Sequence, residues 1–406
     1  MTTRRVAITA LAAVAGDSSD ADALWSRCQA GDSSLKPSSR MVRTGVGEHF
    51  FGEIPSSPTG ARVSPLDVNP SIEIASRCAQ QLIDVSSLDK HIFEQMGDRA
   101  ALAIGFSVAV ADQVLGFIRS QQYGPRDPRW WVEIGTFVPD IAATLGIRGG
   151  NHVITTACAA SANAVGLGFD LISQGELDLV VAGGIDPLSE FSTLGFRSLG
   201  ALSAGQCKPF DENRDGICIG EGGGLILLES MEHAVGRGAI ILAEILGYGL
   251  SNDAYHLTTP DPSGRGARLA MQMALDEAAR QAPDVDYVNA HGTGTVTNDT
   301  MELAAVEALL SDGPLGVPDK PLLMSSTKFL TGHCLAAAGV LELIITLMTM
   351  RDGLVIGNGA SDSLLNTRPS LRLPRSNVPQ TVELAMSNSF AFGGNNASLL
   401  VGTVND

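Results

Sequence analysis

Residues 155–164 read Thr-Thr-Ala-Cys-Ala-Ala-Ser-Ala-Asn-Ala and place a cysteine, Cys158, between a β-branched run and a run of small residues. Residues 153–156 predict the end of a buried strand, and residues 159–172 predict a helix that is small or apolar on nearly every face. The free N–H groups at the start of such a helix would favour a thiolate, so Cys158 is a candidate nucleophile. The alternative is a cysteine that only fills the core.

Strands and helices alternate on either side of this stretch. In the first half, strands are predicted at residues 6–15, 100–106, 178–184 and 225–228, and helices at 21–30, 70–83, 131–145 and 159–172. From residue 236 the alternation begins again, with strands at 243–250, 286–290, 322–327, 382–386 and 397–404 and helices at 265–280, 298–310 and 335–350. This alternation predicts an α/β fold with two halves of similar design, residues 1–235 and 236–406, although no strict sequence repeat is visible.

Composition limits the function classes. The 406 residues carry a formal charge of −17, which argues against non-specific binding to nucleic acid or to an anionic membrane. The six cysteines have no close spacing, so neither a zinc site nor a disulfide framework is indicated, and a reducing cytoplasm is expected. No apolar run reaches membrane-spanning length. Residues 4–15 could pass for a short secretory signal, but a first strand with a turn at Gly16 is the favoured interpretation.

Two further motifs place a histidine after a strand. His291 follows residues 286–290 on a glycine-rich turn, and His333 follows a second strand and turn that also carry Lys328. Ligands bind at the carboxyl ends of strands in α/β sheets, and a histidine there can offer a substrate an N–H donor or a basic nitrogen. Taken alone, the motif at His291 would favour a hydrogen-bonded structural histidine. A lysine at a strand end, such as Lys328, is otherwise an ordinary solvated residue.

A fourth motif, residues 388–396, follows a strand and offers a glycine turn with exposed backbone N–H groups. Such a turn can stabilise an oxyanion or can simply connect a hairpin. Together the four motifs bring one cysteine and two histidines to strand-to-helix junctions, a set suited to acyl transfer through a thioester.

As an ordered set, these motifs resemble the condensing enzymes of the thiolase-fold superfamily, specifically the elongating type II β-ketoacyl-acyl-carrier-protein synthases and related discrete polyketide ketosynthases. The resemblance runs from about Arg5 to Gly402. Its most specific parts are Thr156-Ala157-Cys158, Arg214-Asp215-Gly216, Gly220-Glu221-Gly222, Asn289-Ala290-His291-Gly292-Thr293, Lys328 with Gly332-His333, and Phe392-Gly393-Gly394. It implies a thiolase-like fold, with duplicated α/β halves in a layered αβαβα core and dimer contacts in the half that carries Cys158.

The resemblance implies that Cys158 attacks the thioester of an acyl-carrier protein, with backbone N–H groups of Cys158 and Phe392 as the oxyanion hole. Malonyl-carrier protein then loses carbon dioxide, and His291 and His333, as neutral imidazoles, stabilise the enolate. The carbanion attacks the acyl group on Cys158 and gives a β-ketoacyl product for fatty-acid, polyketide or polyene synthesis. Lys328 is expected to support His333 electrostatically.

Other family positions are matched as well. Thr293 and Thr295 match residues that hydrogen-bond the phosphopantetheine arm, and Glu342 matches a structural acidic position. His333 indicates elongation, because chain-initiating synthases that resemble this fold carry an asparagine there and thiolases use a second cysteine as the base. The implied chemistry needs no metal and no redox cofactor, since the substrates arrive on the phosphopantetheine of acyl carrier protein.

Acyl carrier protein is thus the implied partner. Carrier proteins are acidic and so is this chain, so docking would need a local basic patch. Lys208 and Arg214 match a family docking region, and Arg126 and Arg129 are further candidates; each could instead be an ordinary surface residue. A homodimer or a heterodimer with a ketosynthase-like chain is expected.

Two departures from the family pattern concern the acyl pocket. Ala391 stands where the family loop usually has glycine before Phe392, which would restrict a backbone flip at that position. Residues 65–128 are shorter and less typical than in fatty-acid enzymes, in a region that shapes the pocket and the dimer contact. The alternatives to an active ketosynthase are a structural partner subunit of a heterodimer and a cysteine acyl hydrolase, which would need an activated water and one orienting carboxylate.

Overall fold

The computed structural model describes residues 3–55, 70–86, 90–112, 114–115, 137–311, 320–359 and 363–404. Its strands are β1 (Val6–Ala15), β2 (Leu35–Pro37), β3 (Phe50–Gly52), β4 (Ala100–Gly105), β5 (Asn151–Ile154), β6 (Leu179–Asp186), β7 (Ile219–Gly220), β8 (Gly222–Ser230), β9 (Ala243–Asn252), β10 (Tyr287–Asn289), β11 (Leu322–Ser325), β12 (Leu354–Val355), β13 (Leu371–Arg372), β14 (Val378–Pro379), β15 (Leu384–Ala391) and β16 (Asn395–Gly402).

Its helices are α1 (Ala21–Ala30), α2 (Pro70–Ser86), α3 (Lys90–Met96), α4 (Phe137–Leu145), α5 (Ala160–Ser173), α6 (Glu190–Ser198), α7 (Met231–Gly236), α8 (Arg265–Glu277), α9 (Val296–Ser311), α10 (Lys328–Thr331) and α11 (Ala338–Asp352). Short 3₁₀ turns at Ala157–Ala159, Leu335–Ala337 and Phe392–Gly394 matter for the site.

The main sheet shows the duplication that the sequence does not display as a repeat. Eleven described strands pair in the order β13-β11-β10-β15-β16-β9-β1-β8-β6-β4-β5. The two-residue strand β13 at the edge has no counterpart in the first half. Without it, β5-β4-β6-β8-β1 and β11-β10-β15-β16-β9 both follow the chain order third, second, fourth, fifth, first within their half. Parallel and antiparallel pairs also correspond, since β4 and β10 each have two parallel neighbours and β8 and β16 each have two antiparallel ones.

Three apolar clusters separate the layers. The central cluster joins α5 and α11 to strands of both halves, through residues such as Val165, Phe169, Val340 and Ile344. A second cluster packs α2 and α4 on the outer face of the first half, and a third packs α8 and α9 on the outer face of the second half. This αβαβα layering confirms the predicted fold class. The division at residue 235 stays a prediction.

The first strand is confirmed as β1, which lies between β8 and β9 in the sheet. Gly16 follows it with φ +50°, and a Cβ there would lie 2.4 Å from Cβ of Ser34, so the turn requires glycine. These contacts favour the strand over a secretory signal. Within the described ranges, no helix is long and apolar enough to cross a membrane.

Two local predictions need correction. The strand before the nucleophile is not buried: β5 is the last of the described strands of the sheet, pairs with β4 on one side, and leaves Val153 50% exposed. The motif at 388–396 is mostly strand, because β15 continues to Ala391 and only Phe392–Gly394 form the turn to β16. The predicted helix at 131–145 is observed from Phe137, and its start, like the polar segment with Arg126 and Arg129, lies outside the described residues.

Candidate active site

Cys158 lies in the 3₁₀ turn that leads into α5, and it is 8% exposed. Ala157 before it has φ +49°, a conformation that is costly for a residue with a Cβ. Burial raises the pKa of the Cys158 thiol to about 12, although the charge of Lys328 partly opposes the shift. The thiolate expected from the helix terminus is therefore not the resting form, and the sulfur needs a proton acceptor.

That acceptor is His333. Its Nε2 lies 3.0 Å from Sγ of Cys158, while Nδ1 has no hydrogen-bond partner within the described part of the chain. Two hydrogen bonds fix the backbone of His333: its N–H donates to the Cys218 carbonyl, and its carbonyl accepts from Gly220 N–H. Burial, followed by the charge of Lys328, holds the pKa of His333 well below 6.5. The ring is neutral and can accept the thiol proton.

His291 lies beside His333, with ring centroids 5.2 Å apart in an edge-to-face arrangement. It follows β10, and the backbone N–H groups of His291 and Gly292 each donate to the Glu302 carboxylate at 2.8 Å. Burial holds the pKa of His291 well below 6.5, and the charge of Lys328 and the proximity of His333 act in the same direction. Both imidazoles are therefore neutral, as the resemblance implies for enolate stabilisation.

Lys328 is fully buried at the start of α10 and contacts His291 rather than His333. Its Nζ lies 3.5 Å from Nδ1 of His291, donates to the His291 carbonyl at 2.5 Å, and forms an ion pair with Glu342. An ammonium can only donate hydrogen bonds, so Nδ1 of His291 must be the acceptor. The single N–H proton of the neutral His291 ring therefore lies on Nε2. Burial raises the pKa of Glu342 to about 7, and Lys328 opposes that shift.

A cavity of about 370 Å³ joins Cys158, His291 and His333 to the surface. Phe392 lines it and packs against Phe196, with ring centroids 5.5 Å apart. Ala391 is extended, with φ −128° and ψ 159°, so its methyl group causes no strain in this conformation. Gly393 and Gly394 have φ of +82° and +73°, and a Cβ on Gly394 would lie 2.9 Å from Cβ of Asp253.

Thr293 and Thr295 also line the cavity, with their hydroxyl oxygens 3.0 Å apart. The loop that carries them is fixed by hydrogen bonds to the buried Asp299 carboxylate, which accepts from Gly294 N–H at 3.2 Å and from Phe210 N–H at 2.8 Å. Two hydroxyl groups at this position can hydrogen-bond an amide of an extended ligand that enters the cavity.

The two residues predicted to dock a carrier protein differ in position. Lys208 is exposed. Arg214 is only 7% exposed, and its guanidinium donates to the carbonyls of Asp211, Thr295 and Val296 and to the Thr300 hydroxyl. Arg214 therefore holds the cavity loop from inside and presents no charge to a partner, contrary to expectation.

Three buried carboxylates that the sequence motifs do not include support the site: Glu302, Asp299 and Asp186. Asp186 accepts the N–H groups of Ser107 and Val108 and that of Ala336, just after His333, at 2.8–3.0 Å, and so links the two halves. The sequence does contain a signal for these carboxylates, because each is an acidic residue at the end of a buried strand or within a largely apolar helix. Among the residues that the structure describes, no group of three or more His, Cys, Asp or Glu is placed to hold a metal ion.

Comparisons with known proteins agree with this geometry. Residues 3–234 match the family described as beta-ketoacyl synthase, N-terminal domain, and residues 242–359 match its C-terminal domain. The 3-oxoacyl-acyl-carrier-protein synthase 2 of Staphylococcus aureus strain COL is 32% identical over 417 residues, covering 98% of each chain. The enzyme of the same name from Rhizobium meliloti strain 1021 is 44% identical over 268 residues, covering 63% of this chain and 61% of that protein.

Solved structures are similar along the whole chain. The ishigamide ketosynthase/chain length factor is 30% identical with a TM-score of 0.88, and covers 99% of this chain and 100% of its own. A type II polyketide ketosynthase, bound to a hexaketide and in complex with its acyl-carrier protein, is 26% identical with a TM-score of 0.86 and the same coverage.

Proposed function

The chain belongs to the β-ketoacyl synthase family, and we propose from this premise that Cys158, His291 and His333 divide the steps of its condensation. The enzyme is an elongating acyltransferase: it joins an acyl group to malonyl-acyl-carrier protein with loss of carbon dioxide and gives a β-ketoacyl-carrier protein. The observation that carries the assignment is the 3.0 Å contact between the Cys158 sulfur and His333 Nε2, with His291 alongside in the same cavity.

In the first step Cys158 takes the acyl group. His333 Nε2 accepts the thiol proton, and sulfur attacks the thioester carbon of the acyl carrier. The carrier's thiolate then leaves and takes that proton from His333 Nε2, so the imidazole is neutral again. A thiol with a pKa of about 12 would otherwise react slowly, so proton transfer within the pair is essential. The backbone N–H groups of Cys158 and Phe392 are the proposed donors to the oxyanion.

In the second step malonyl-carrier protein loses carbon dioxide. The electron pair of the breaking carbon–carbon bond forms an enolate, and Nε2–H of His291 donates to its oxygen. Nε2 of His333 is the second donor once the thiol is acylated and the neutral ring carries its proton on that nitrogen. The Lys328 ammonium supports this role by keeping the His291 proton on Nε2. The enolate carbon then attacks the acyl carbon on Cys158, a carbon–carbon bond forms, and the Cys158 thiolate leaves.

Thr293 and Thr295 are proposed to hydrogen-bond the phosphopantetheine arm, which fits their place on the cavity wall. The substrates are carried on that arm, and we propose that no separate cofactor takes part. The pathway is fatty-acid or polyketide synthesis, since relatives of both kinds are similar over most of the chain.

The proposed partners are acyl carrier protein and a second ketosynthase-like chain, as a homodimer or a heterodimer. Support comes from a similar structure with a carrier protein and from another with a chain length factor. The dimer contact is proposed for the first half, where the edge strand β5 leaves Val153 exposed. We also propose a cytoplasmic location, which fits the free cysteines at all six positions.

Mass spectrometry of the intact protein tests the function. Incubation with acyl-carrier proteins of several chain lengths should add one acyl mass at Cys158, and later addition of malonyl-carrier protein should release a β-ketoacyl-carrier protein. A free acid as the product would indicate a hydrolase. Absence of any acylation would indicate a structural partner subunit, and either result would overturn the proposal.

A further inference from the structure

Two buried cysteines that take no part in the proposed mechanism lie side by side. The backbone N–H of Cys207 donates to Sγ of Cys218 at 3.1 Å, and both residues belong to one apolar cluster with Leu35 and Phe50. Hydrogen bonding with the Cys207 side chain, followed by burial, raises the pKa of the Cys218 thiol, so the two side chains are in contact. Both cysteines are free thiols. Contact between two thiols is the first requirement for a disulfide.

Both cysteines are also hydrogen-bonded to the backbone of active-site residues. Sγ of Cys207 donates to the Lys328 carbonyl at 3.2 Å, and the Cys218 carbonyl accepts from His333 N–H at 2.7 Å. The His333 ring in turn lies 3.0 Å from the Cys158 sulfur. A movement of the Cys218 backbone is therefore passed to the ring that accepts the Cys158 proton.

The pair is buried, but each cysteine has a neighbour in the chain that meets solvent or the cavity. Cys207 lies in a loop between Gln206 and Lys208, which are both exposed. Ile217, directly before Cys218, lines the active-site cavity. Loops of this kind open locally at a small cost in free energy. A small uncharged oxidant therefore needs only a local movement of the loop to reach the Cys207 sulfur.

We propose that Cys207 and Cys218 form a reversible disulfide in the presence of a hydroperoxide, and that this disulfide slows acylation of Cys158. The Cys207 sulfur attacks one oxygen of hydrogen peroxide, the O–O bond breaks, and water leaves a sulfenic acid on Cys207. The Cys218 sulfur then attacks the sulfenic sulfur, and the hydroxyl group departs with the Cys218 proton as a second water. The two sulfurs together lose two electrons, which reduce the peroxide, and a thiol reductant reverses the change.

The disulfide alters the contacts that hold the catalytic histidine. It removes the S–H group with which Cys207 donates to the Lys328 carbonyl. It also brings the two sulfurs to about 2.05 Å, closer than thiols in contact, so the segments that carry them must move towards each other. Because His333 N–H is bonded to the Cys218 carbonyl, the imidazole moves relative to the Cys158 sulfur. Proton transfer between that ring and the thiol depends on their distance, so acylation slows.

Mass spectrometry tests the covalent step independently of activity. Mild treatment with hydrogen peroxide should lower the mass of the intact protein by about 2 Da, and a peptide map should join Cys207 to Cys218. Cys207→Ala and Cys218→Ala should each abolish this change. Cys78→Ala is the matched control and should behave like the parent enzyme, because Cys78 is equally buried but lies in α2, in another apolar cluster. A gain of about 16 or 32 Da without a disulfide would overturn the proposal.

The rate of acylation tests the consequence, and this arm rests on the proposed function. Oxidised parent enzyme should acylate Cys158 at least about tenfold more slowly than reduced enzyme, and dithiothreitol should restore the rate. Peroxide treatment of Cys207→Ala or Cys218→Ala should change the rate less than about twofold, because neither can form the bond. A mapped disulfide with an unchanged rate would overturn the proposal.

Two further results separate this proposal from other causes. An equal, reversible loss of acylation in the parent enzyme and in both alanine variants would place the oxidation at Cys158 and would also overturn the proposal. If the reduced enzyme is not acylated at all, it is the proposed function that fails. The mass change and the peptide map then still decide whether Cys207 and Cys218 are joined.

Discussion

His333 Nε2 lies 3.0 Å from the Cys158 sulfur although 175 residues separate them. Cys158 lies in the 3₁₀ turn that opens the central helix α5, and His333 lies two residues before the 3₁₀ turn that opens the other central helix, α11. The central layer of the fold therefore brings a nucleophile and its proton acceptor together, and neither half contains the pair alone. This duplication makes the site dependent on the packing of α5 against α11.

Replacement of the nucleophile tests the pair directly. Cys158→Ala should reduce condensation at least about 10³-fold, because no other group can hold the acyl chain, and should leave the fold intact. Cys334→Ala is a suitable control, since Cys334 is also buried, follows His333 directly and is not among the described residues that line the cavity. Product formation and circular dichroism of both variants check the expectation. Condensation by Cys158→Ala at the rate of the parent enzyme would rule the mechanism out.

The pH dependence follows from the direction of the pKa shifts. With a pKa of about 12, Cys158 is thiolate at roughly one part in 10⁵ at pH 7, so alkylation by iodoacetamide without substrate should rise about tenfold per pH unit from 7 to 9. Labelling of Cys158→Ala gives the background. Rapid labelling that is already constant at pH 7 would show that the resting sulfur is a thiolate.

Acid should affect catalysis only below the ordinary histidine range. Both imidazoles have lowered pKa values, so they stay neutral at pH 6.5 and kcat should not decrease until the pH is well below that value. In the unfolded chain these histidines take up protons near pH 6.5, whereas in the folded chain they do not. The free energy of unfolding is therefore highest above pH 6.5 and decreases as the pH falls below that value. Rates and melting temperatures between pH 5 and pH 8 measure both effects; an activity midpoint at 6.5 would contradict this account.

The position of Cys158 could be predicted from sequence because β-branched residues followed by small residues mark a strand-to-helix junction. The protonation state of Cys158 could not be predicted from sequence. The helix terminus favours a thiolate, but the pKa depends on burial by segments distant in sequence, and burial is the larger effect here. For the same reason the sequence could not show that Arg214 is buried or that β5 is an exposed edge.

Lys328 illustrates what spacing leaves undetermined. Its place five residues before His333 predicts electrostatic support for that ring, and the charge of Lys328 does help to lower the pKa of His333. The direct contacts of the ammonium are with His291, which the spacing does not predict. The cause is sheet topology: β10 and β11 are adjacent parallel strands, with Asn289 opposite Ser325, so the residues that follow them lie side by side. That adjacency depends on strand order, which residue patterns within each segment do not encode.

Lys328→Met should separate the two half-reactions. Loss of the ammonium removes the partner of Glu342 and the charge that keeps the His291 proton on Nε2, so malonyl decarboxylation should fall about 10²- to 10³-fold. Acylation of Cys158 should fall much less, since Lys328 makes no hydrogen bond to Cys158 or to the His333 ring. Release of carbon dioxide and acyl mass at Cys158 measure the two steps separately.

The controls for this variant address folding. Lys328→Met leaves a buried carboxylate unpaired and should destabilise the fold by about 3–5 kcal/mol, and the second change Glu342→Gln should recover part of that loss without restoring decarboxylation. Lys36→Met, at a lysine whose side chain is 53% exposed, should change neither step. Equal losses of acylation and decarboxylation in Lys328→Met would contradict a specific role towards His291.

Ala391→Gly tests whether the turn after β15 is a gate. Ala391 is extended and unstrained here, so glycine would gain nothing in this conformation and should lower the free energy of unfolding by about 0.5–1 kcal/mol through added freedom in the unfolded chain. If Phe392 moves away from Phe196 by rotation at residue 391, glycine should also make that rotation easier and raise the acylation rate for long acyl chains about two- to fivefold. Ala385→Gly, in the same strand but away from the turn, should lose stability without any gain in rate. Equal acylation rates in Ala391→Gly and the parent enzyme would show that entry of the acyl chain does not depend on the backbone at this position.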